Sequence, residues 1–110
     1  MATIPEVGPS EFIERWPDFP SANVTLLDVR EPHELEVASI PGTLNVPMSE
    51  VPARLGELDP TGTVVVLCRS GARSMRVAEF LAANGFGSVY NMKGGINAWS
   101  VEVDPTVPRY

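Results

Sequence analysis

Apolar residues in this chain fall into short continuous runs separated by proline, glycine and small polar residues. Val24-Thr25-Leu26-Leu27-Asp28-Val29 and Thr63-Val64-Val65-Val66-Leu67 are nearly all apolar. That is the pattern of strands covered on both faces. Leu44-Asn45-Val46 and Ser88-Val89-Tyr90-Asn91-Met92 read as further strands. Between them lie segments of helical character. Gly8-Pro9-Ser10-Glu11 starts a helix, with Pro9 suited to its first position. It carries Phe12, Ile13 and Trp16 and must end near Pro17. Glu31 to Val37 predicts a short helix, Ile40-Pro41-Gly42 a turn, and Ser49 to Leu58 a helix capped by Ser49. Ala72 to Asn84 places Val77, Phe80 and Leu81 on one apolar face and is stopped by Asn84-Gly85. Gly94-Gly95 turns the chain into a last helix, from Ile96 to about Val101, carrying Trp99. Strands alternating with helices predict an α/β domain, a mostly parallel sheet with helices on both faces. Sites in such sheets lie at the carboxyl ends of the strands.

The chain has 110 residues, read as one domain over 1–110 with room for a real core. No apolar run approaches the roughly 18 residues of a membrane span, and the first residues lack the features of a signal peptide. A formal charge of -6 argues against nucleic acid as a partner. The basic residues are unevenly spread, however. Arg69, Arg73, Arg76 and Lys93 are four of the eight Lys and Arg residues. A locally basic site on an acidic chain points to a small anionic substrate or an acidic partner segment. With one cysteine, Cys68, and one histidine, His33, neither an internal disulfide nor a Cys- or His-rich metal site is expected, and no cofactor is called for. An unpaired reactive thiol fits a reducing compartment such as the cytosol.

Cys68 follows the central buried strand and precedes Arg69-Ser70-Gly71-Ala72-Arg73-Ser74 and a helix. A thiol there sits above a helix N-terminus, whose unpaired N–H groups favour an anion. The thiolate is the reactive form, and a free cysteine is only a few per cent ionised at pH 7. Lowering a thiol pKa by about two units takes roughly 2.7 kcal/mol of preferential stabilisation of the charged form. A nest of loop N–H groups, the helix terminus and nearby arginines are able to supply it together. Gly71 permits the positive φ that such a nest needs. Arg69 and Arg73 carry forked donors suited to an anionic oxygen. A buried structural thiol fits this setting poorly. Cysteine-protease chemistry needs a histidine base, and His33 lies in a polar helix after another strand. Tyrosine-phosphatase-type loops place five residues between cysteine and arginine. Here four separate Cys68 from Arg73, a smaller cradle better matched to a persulfide or thiosulfonate than to phosphate.

These residues resemble the single-domain rhodaneses, a sulfurtransferase family, over nearly the whole chain. Leu26-Leu27-Asp28-Val29-Arg30-Glu31 is similar to the first signature of that family. Ile40-Pro41-Gly42-Thr43-Leu44-Asn45-Val46-Pro47 is similar to the second, and Cys68 to Ser74 to the active loop and its helix entry. Met92-Lys93-Gly94-Gly95-Ile96-Asn97-Ala98-Trp99 is similar to the closing signature. One departure is Ala38-Ser39 where the family often has Gly-His before Ile-Pro-Gly. The resemblance implies a five-stranded parallel sheet flanked by helices. It also implies a double displacement in which Cys68 becomes a persulfide, cradled by the N–H groups from Arg69 to Arg73. Arg69 resembles thiosulfate-type loops more than mercaptopyruvate-type ones, and Asp28 and Arg30 carry over as an ion pair that buttresses the site.

The final residues, Asp104-Pro105-Thr106-Val107-Pro108-Arg109-Tyr110, resemble the end of the rhodanese domain fused to enzymes that adenylate ubiquitin-like sulfur carriers. A proline-rich strap across the surface is an equal reading of the same residues. The leading expectation is a thiosulfate-type sulfurtransferase. The alternatives are a persulfide relay from a cysteine desulfurase to a sulfur-carrier protein and a non-catalytic interaction module. Trp16, Trp99 and Tyr110 are assigned to neither core nor interface.

Overall fold

The computed structural model describes residues 3–110, with β2 (Val24–Asp28) and β4 (Thr63–Leu67) at its centre. They pair in parallel, Leu26 opposite Val65 and Asp28 opposite Leu67. β5 (Ser88–Met92) flanks β4, and β3 (Leu44–Asn45) flanks β2. β1 (Glu6–Val7) closes the other edge against β5. The sheet is five-stranded and parallel, in the order β1-β5-β4-β2-β3.

Strand alternation sends successive side chains to opposite faces. Val64 and Val66 join Val77, Ala78 and Leu81 of α3 (Ala72–Ala83), together with Val51 and Leu58. Val65 and Leu67 join Phe12 of α1 (Pro9–Arg15), Ile96 and Trp99 of α4 (Gly95–Glu102), and Val107. Both faces are covered, which is why β2 and β4 read as unbroken apolar runs. Trp99 belongs to the second core, 5% exposed, with its ring edge-on to Phe12. Trp16 is partly buried between Phe12 and Tyr90. No helix among the described residues is long and apolar enough to cross a membrane.

Three elements differ from expectation. The strand Glu6–Val7 was not foreseen, because two residues carry no periodic signal; Val7 is nevertheless fully buried opposite Met92. The helix expected from Ser49 to Leu58 is two 3-10 segments, Met48–Glu50 and Pro52–Glu57, and Ser49 caps neither. Pro52 lacks the N–H that a continuous helix would use, and Arg54 leaves helical geometry with φ -116°. The last helix starts one residue early, at Gly95. The helix α2 (Pro32–Val37) has Glu31 at its N-cap, and Glu34 Oε2 accepts from the Glu31 N–H at 2.9 Å.

Candidate active site

β4 ends at Leu67, so Cys68 leaves the sheet at the carboxyl end of its central strand. The chain then makes a tight loop and enters α3 through Gly71, whose φ is +113°. A residue with a side chain would be strained there. The Gly71 N–H reaches Cys68 Sγ at 3.1 Å, and the buried Ser74 hydroxyl donates to it at 3.3 Å.

The direction of the loop amides is set from outside the loop. α4 begins with N–H groups that no carbonyl of its own can satisfy. Ile96 N donates to Cys68 O at 2.9 Å, and Asn97 N donates to Arg69 O at 3.2 Å. The buried Asn91 donates its Nδ2 to Gly71 O at 3.2 Å. In a trans peptide the N–H points opposite the carbonyl. With the Arg69 carbonyl drawn toward α4, the Ser70 N–H at the other end of that peptide is turned toward Cys68, where it joins the N–H groups of Gly71 and Ser74. Gly95 permits the approach of α4: a Cβ there would lie 2.5 Å from the Arg69 carbonyl group and from Cys68 O. Asn91, Gly95 and Asn97 are therefore parts of the site that sequence reasoning missed. Gly95 and Asn97 stood in the closing signature without a role, and Asn91 carried no signal.

Burial pushes the Cys68 thiol up. The Ser74 hydroxyl, then the N–H groups of Ser74, Gly71 and Ser70, outweigh it, so that the thiol lies below its ordinary value. The thiolate is thus favoured by neutral donors around a residue that is 1% exposed.

The two loop arginines differ. Arg73 grips Glu34 of α2 with both ends of its fork, Nη1 to Oε2 at 2.7 Å and Nη2 to Oε1 at 2.9 Å. Glu34 takes two of its five N–H donors, against the expectation of a wholly free fork for an anion, and its charge lies close enough to Cys68 for the two to attract. The cause is Glu34 itself. It is 8% exposed, and a buried carboxylate requires a cationic partner. Glu34 lies 39 residues away in sequence and carried no local signal. Its hydrogen bonds to Arg73, opposed by burial and aided by the Glu31 N–H and the Tyr110 hydroxyl, hold its carboxyl well below the usual carboxylate range. Arg69 is exposed and forms no ion pair among the described residues. Its guanidinium lies 4.9 Å from the centre of the Tyr110 ring. Ser70 and Ala72 are exposed on the rim, Arg76 is exposed further along α3, and His33 is exposed on α2.

Asp28 and Arg30 form a pair with both side chains fully buried. Arg30 Nη2 donates to Asp28 Oδ2 at 2.7 Å and Nε to Oδ1 at 3.0 Å. The rest of the guanidinium donates to Ala38 O at 2.8 Å, to Glu34 O at 3.3 Å and to the Tyr110 hydroxyl at 2.9 Å. Asp28 is thus committed to Arg30. The final residues form a strap: Val107 is buried, and its N–H donates to Asp104 O.

The Rhodanese-like domain family model matches residues 14–102. This chain belongs to the rhodanese-like domain family. It is 47% identical over 89 residues to the Rhodanese-like/PpiC domain-containing protein 12, chloroplastic, of Arabidopsis thaliana, covering 77% of this chain and 30% of that protein. It is 42% identical over 78 residues to a protein named Sulfurtransferase from Allochromatium vinosum, covering 71% of this chain and 73% of that one. The Adenylyltransferase and sulfurtransferase MOCS3 of Arabidopsis thaliana is 34% identical over 101 residues, with 77% of this chain covered and 22% of that protein. The rhodanese-like chain thus spans less than a third of the first and third of these relatives. The crystal structure of a rhodanese-like domain protein from Staphylococcus aureus superposes with a TM-score of 0.78 at 29% identity, covering 87% of this chain and 91% of that one.

Proposed function

We propose that this rhodanese-like chain is a sulfurtransferase that carries sulfane sulfur on Cys68, with thiosulfate or a similar anion as donor. The observation that carries the reading is the sulfur itself: Cys68 Sγ accepts from the Gly71 N–H and the Ser74 hydroxyl, with the N–H groups of Ser70 and Ser74 also favouring the thiolate. Such a cradle favours the thiolate before reaction and the persulfide anion after it. In the first step the Cys68 thiolate attacks the sulfane sulfur of thiosulfate. A sulfur–sulfur bond forms to Cys68, the donor's own sulfur–sulfur bond breaks, and its electron pair leaves with sulfite. In the second step a nucleophilic acceptor takes the outer sulfur, and the bonding pair returns to Cys68. Arg69 at the rim would meet the anionic donor, while Ser70, Gly71, Ala72, Arg73 and Ser74 shape and charge the cradle. Asp28 and Arg30 hold the neighbouring strand end in place. An unpaired thiol of this kind suits a reducing compartment such as the cytosol.

The test is incubation with thiosulfate followed by intact-mass measurement. One added sulfur atom is expected, and none in Cys68→Ala. An unmodified protein, or an adduct that survives the substitution, would sink the reading.

A second reading has its own support. Relatives include a protein named adenylyltransferase and sulfurtransferase and one named a putative sulfur carrier protein. In this reading Cys68 receives its outer sulfur from a protein persulfide, such as that of a cysteine desulfurase, and passes it to a sulfur-carrier protein. Transfer from a desulfurase persulfide would then outpace transfer from thiosulfate; equal or slower transfer counts against it.

A further inference from the structure

The strap does more than cover the core, because it delivers Tyr110 to the rim of the cradle. Four contacts fix that residue. Its hydroxyl accepts from Arg30 Nη1 at 2.9 Å and donates to Glu34 Oε1 at 2.7 Å. Its main-chain N–H donates to Asn97 Oδ1, and Asn97 Nδ2 donates to its main-chain oxygen, both at 3.4 Å. Asn97 is also the residue whose N–H holds Arg69 O. One residue on α4, through its main chain on one side and its side chain on the other, thus sets the backbones of Arg69 and Tyr110 relative to each other. Between them the Arg69 guanidinium lies 4.9 Å from the ring centre.

The consequence concerns Arg69. An exposed arginine side chain ordinarily samples many rotamers, and ordering it on binding an anion costs free energy. A ring held at both its hydroxyl and its main chain is a fixed platform, and a guanidinium rests favourably on an aromatic face. Arg73 is tied to Glu34 and partly buried, whereas Arg69 is exposed with no ion pair among the described residues, so Arg69 is the loop arginine with its whole fork open to an incoming anion.

We propose that Tyr110 is a positioning residue that holds Arg69 over the mouth of the Cys68 cradle, giving the site its preference for anionic donors. Its relevance to sulfur transfer rests on the function proposed above, but the anion preference at Cys68 is measurable without it. The hydroxyl anchors the ring, and the ring face holds the arginine.

The experiment compares alkylation of Cys68 by iodoacetate, an anion, with alkylation by neutral iodoacetamide. The ratio of the two rates cancels changes in thiol reactivity. Tyr110→Ala should lower that ratio about three- to fivefold at low salt. Tyr110→Phe, which keeps the ring and its main-chain anchor but loses the hydroxyl anchor, should lower it clearly less than Tyr110→Ala. Arg69→Gln should lower it, and adding Tyr110→Ala to Arg69→Gln should lower it no further. If Tyr110→Ala does not fold, Tyr110→Leu keeps apolar bulk without the ring face and takes its place. With thiosulfate, Tyr110→Ala should raise KM by the same factor and leave kcat nearly unchanged. An unchanged alkylation ratio in Tyr110→Ala overturns the proposal. So does an equal fall in Tyr110→Phe, since the hydroxyl and not the ring would then control Arg69. A wild-type protein inert toward thiosulfate would remove the proposed donor and leave the alkylation ratio as the judge of Tyr110.

Discussion

Cys68 has no histidine or second cysteine beside it, so its ionisation depends mainly on a few neutral donors. The Ser74 hydroxyl is first among those that favour the thiolate. Ser74→Ala should move the pH midpoint of iodoacetamide alkylation upward and slow alkylation at pH 7 about tenfold, the effect of losing one hydrogen bond to a charged group. The fold should be unaffected, since Ser74 is a small residue inside a regular helix. A pH–rate profile identical to wild type would show that the loop amides suffice alone. Much of this was legible beforehand: strand, cysteine, glycine and helix are adjacent in the chain. The pairing of Arg73 was not. An arginine looks the same in sequence whether its fork is free or engaged, and the carboxylate that engages it lies on another element.

The loop works because α4 docks on its outer side. Two N–H groups at the start of α4 hold the carbonyls of Cys68 and Arg69, and the second of these peptides presents its Ser70 N–H to the sulfur. Gly95 is where the helix and loop backbones meet, and its φ is +61°. Gly95→Ala should destabilise the fold by about 2–4 kcal/mol through strain and overpacking. The loop should also shift, and Cys68 should lose reactivity at neutral pH. Chemical denaturation and alkylation rates check the two effects. A stable variant with normal alkylation would mean that the loop holds its amides inward without α4. The helices and longer strands were predictable from apolar runs and breakers. The two-residue strand at Glu6–Val7 was not, because its formation depends on β5 already being in place.

Across the molecule, two buried or half-buried ion pairs fasten the carboxyl edge of the sheet. Asp28–Arg30 closes β2, and Glu34–Arg73 ties α2 to α3. The Glu34 carboxyl titrates lower in the folded protein than in the unfolded chain, so the unfolded chain takes up the proton first as the solution is acidified. The stability contributed by Glu34 is complete above the ordinary glutamate value of about 4.3. It is lost progressively as pH falls from there toward the lower folded value. Glu34→Gln should therefore be less stable than wild type at pH 7 and lose less on acidification. Melting temperatures between pH 7 and pH 3 measure this. Parallel acid limbs in the two proteins would show that the pair contributes nothing that depends on the ionised carboxylate.

The order of residues along the chain was enough to place Cys68 between a buried strand and a helix, and the four-residue gap to Arg73 carried the expectation of sulfur rather than phosphate chemistry. Those are local matters, set by strand periodicity, helix starts and the length of one loop. Packing decided which way the loop carbonyls face, which arginine keeps a free fork, and that Tyr110 lies at the rim of the site. Tyr110 and Glu34 are 76 residues apart in the chain and share a hydrogen bond of 2.7 Å. Only the assembled sheet with α2, α3, α4 and the strap in position brings such residues together, because the charges and carbonyls they satisfy become buried only when the fold is complete.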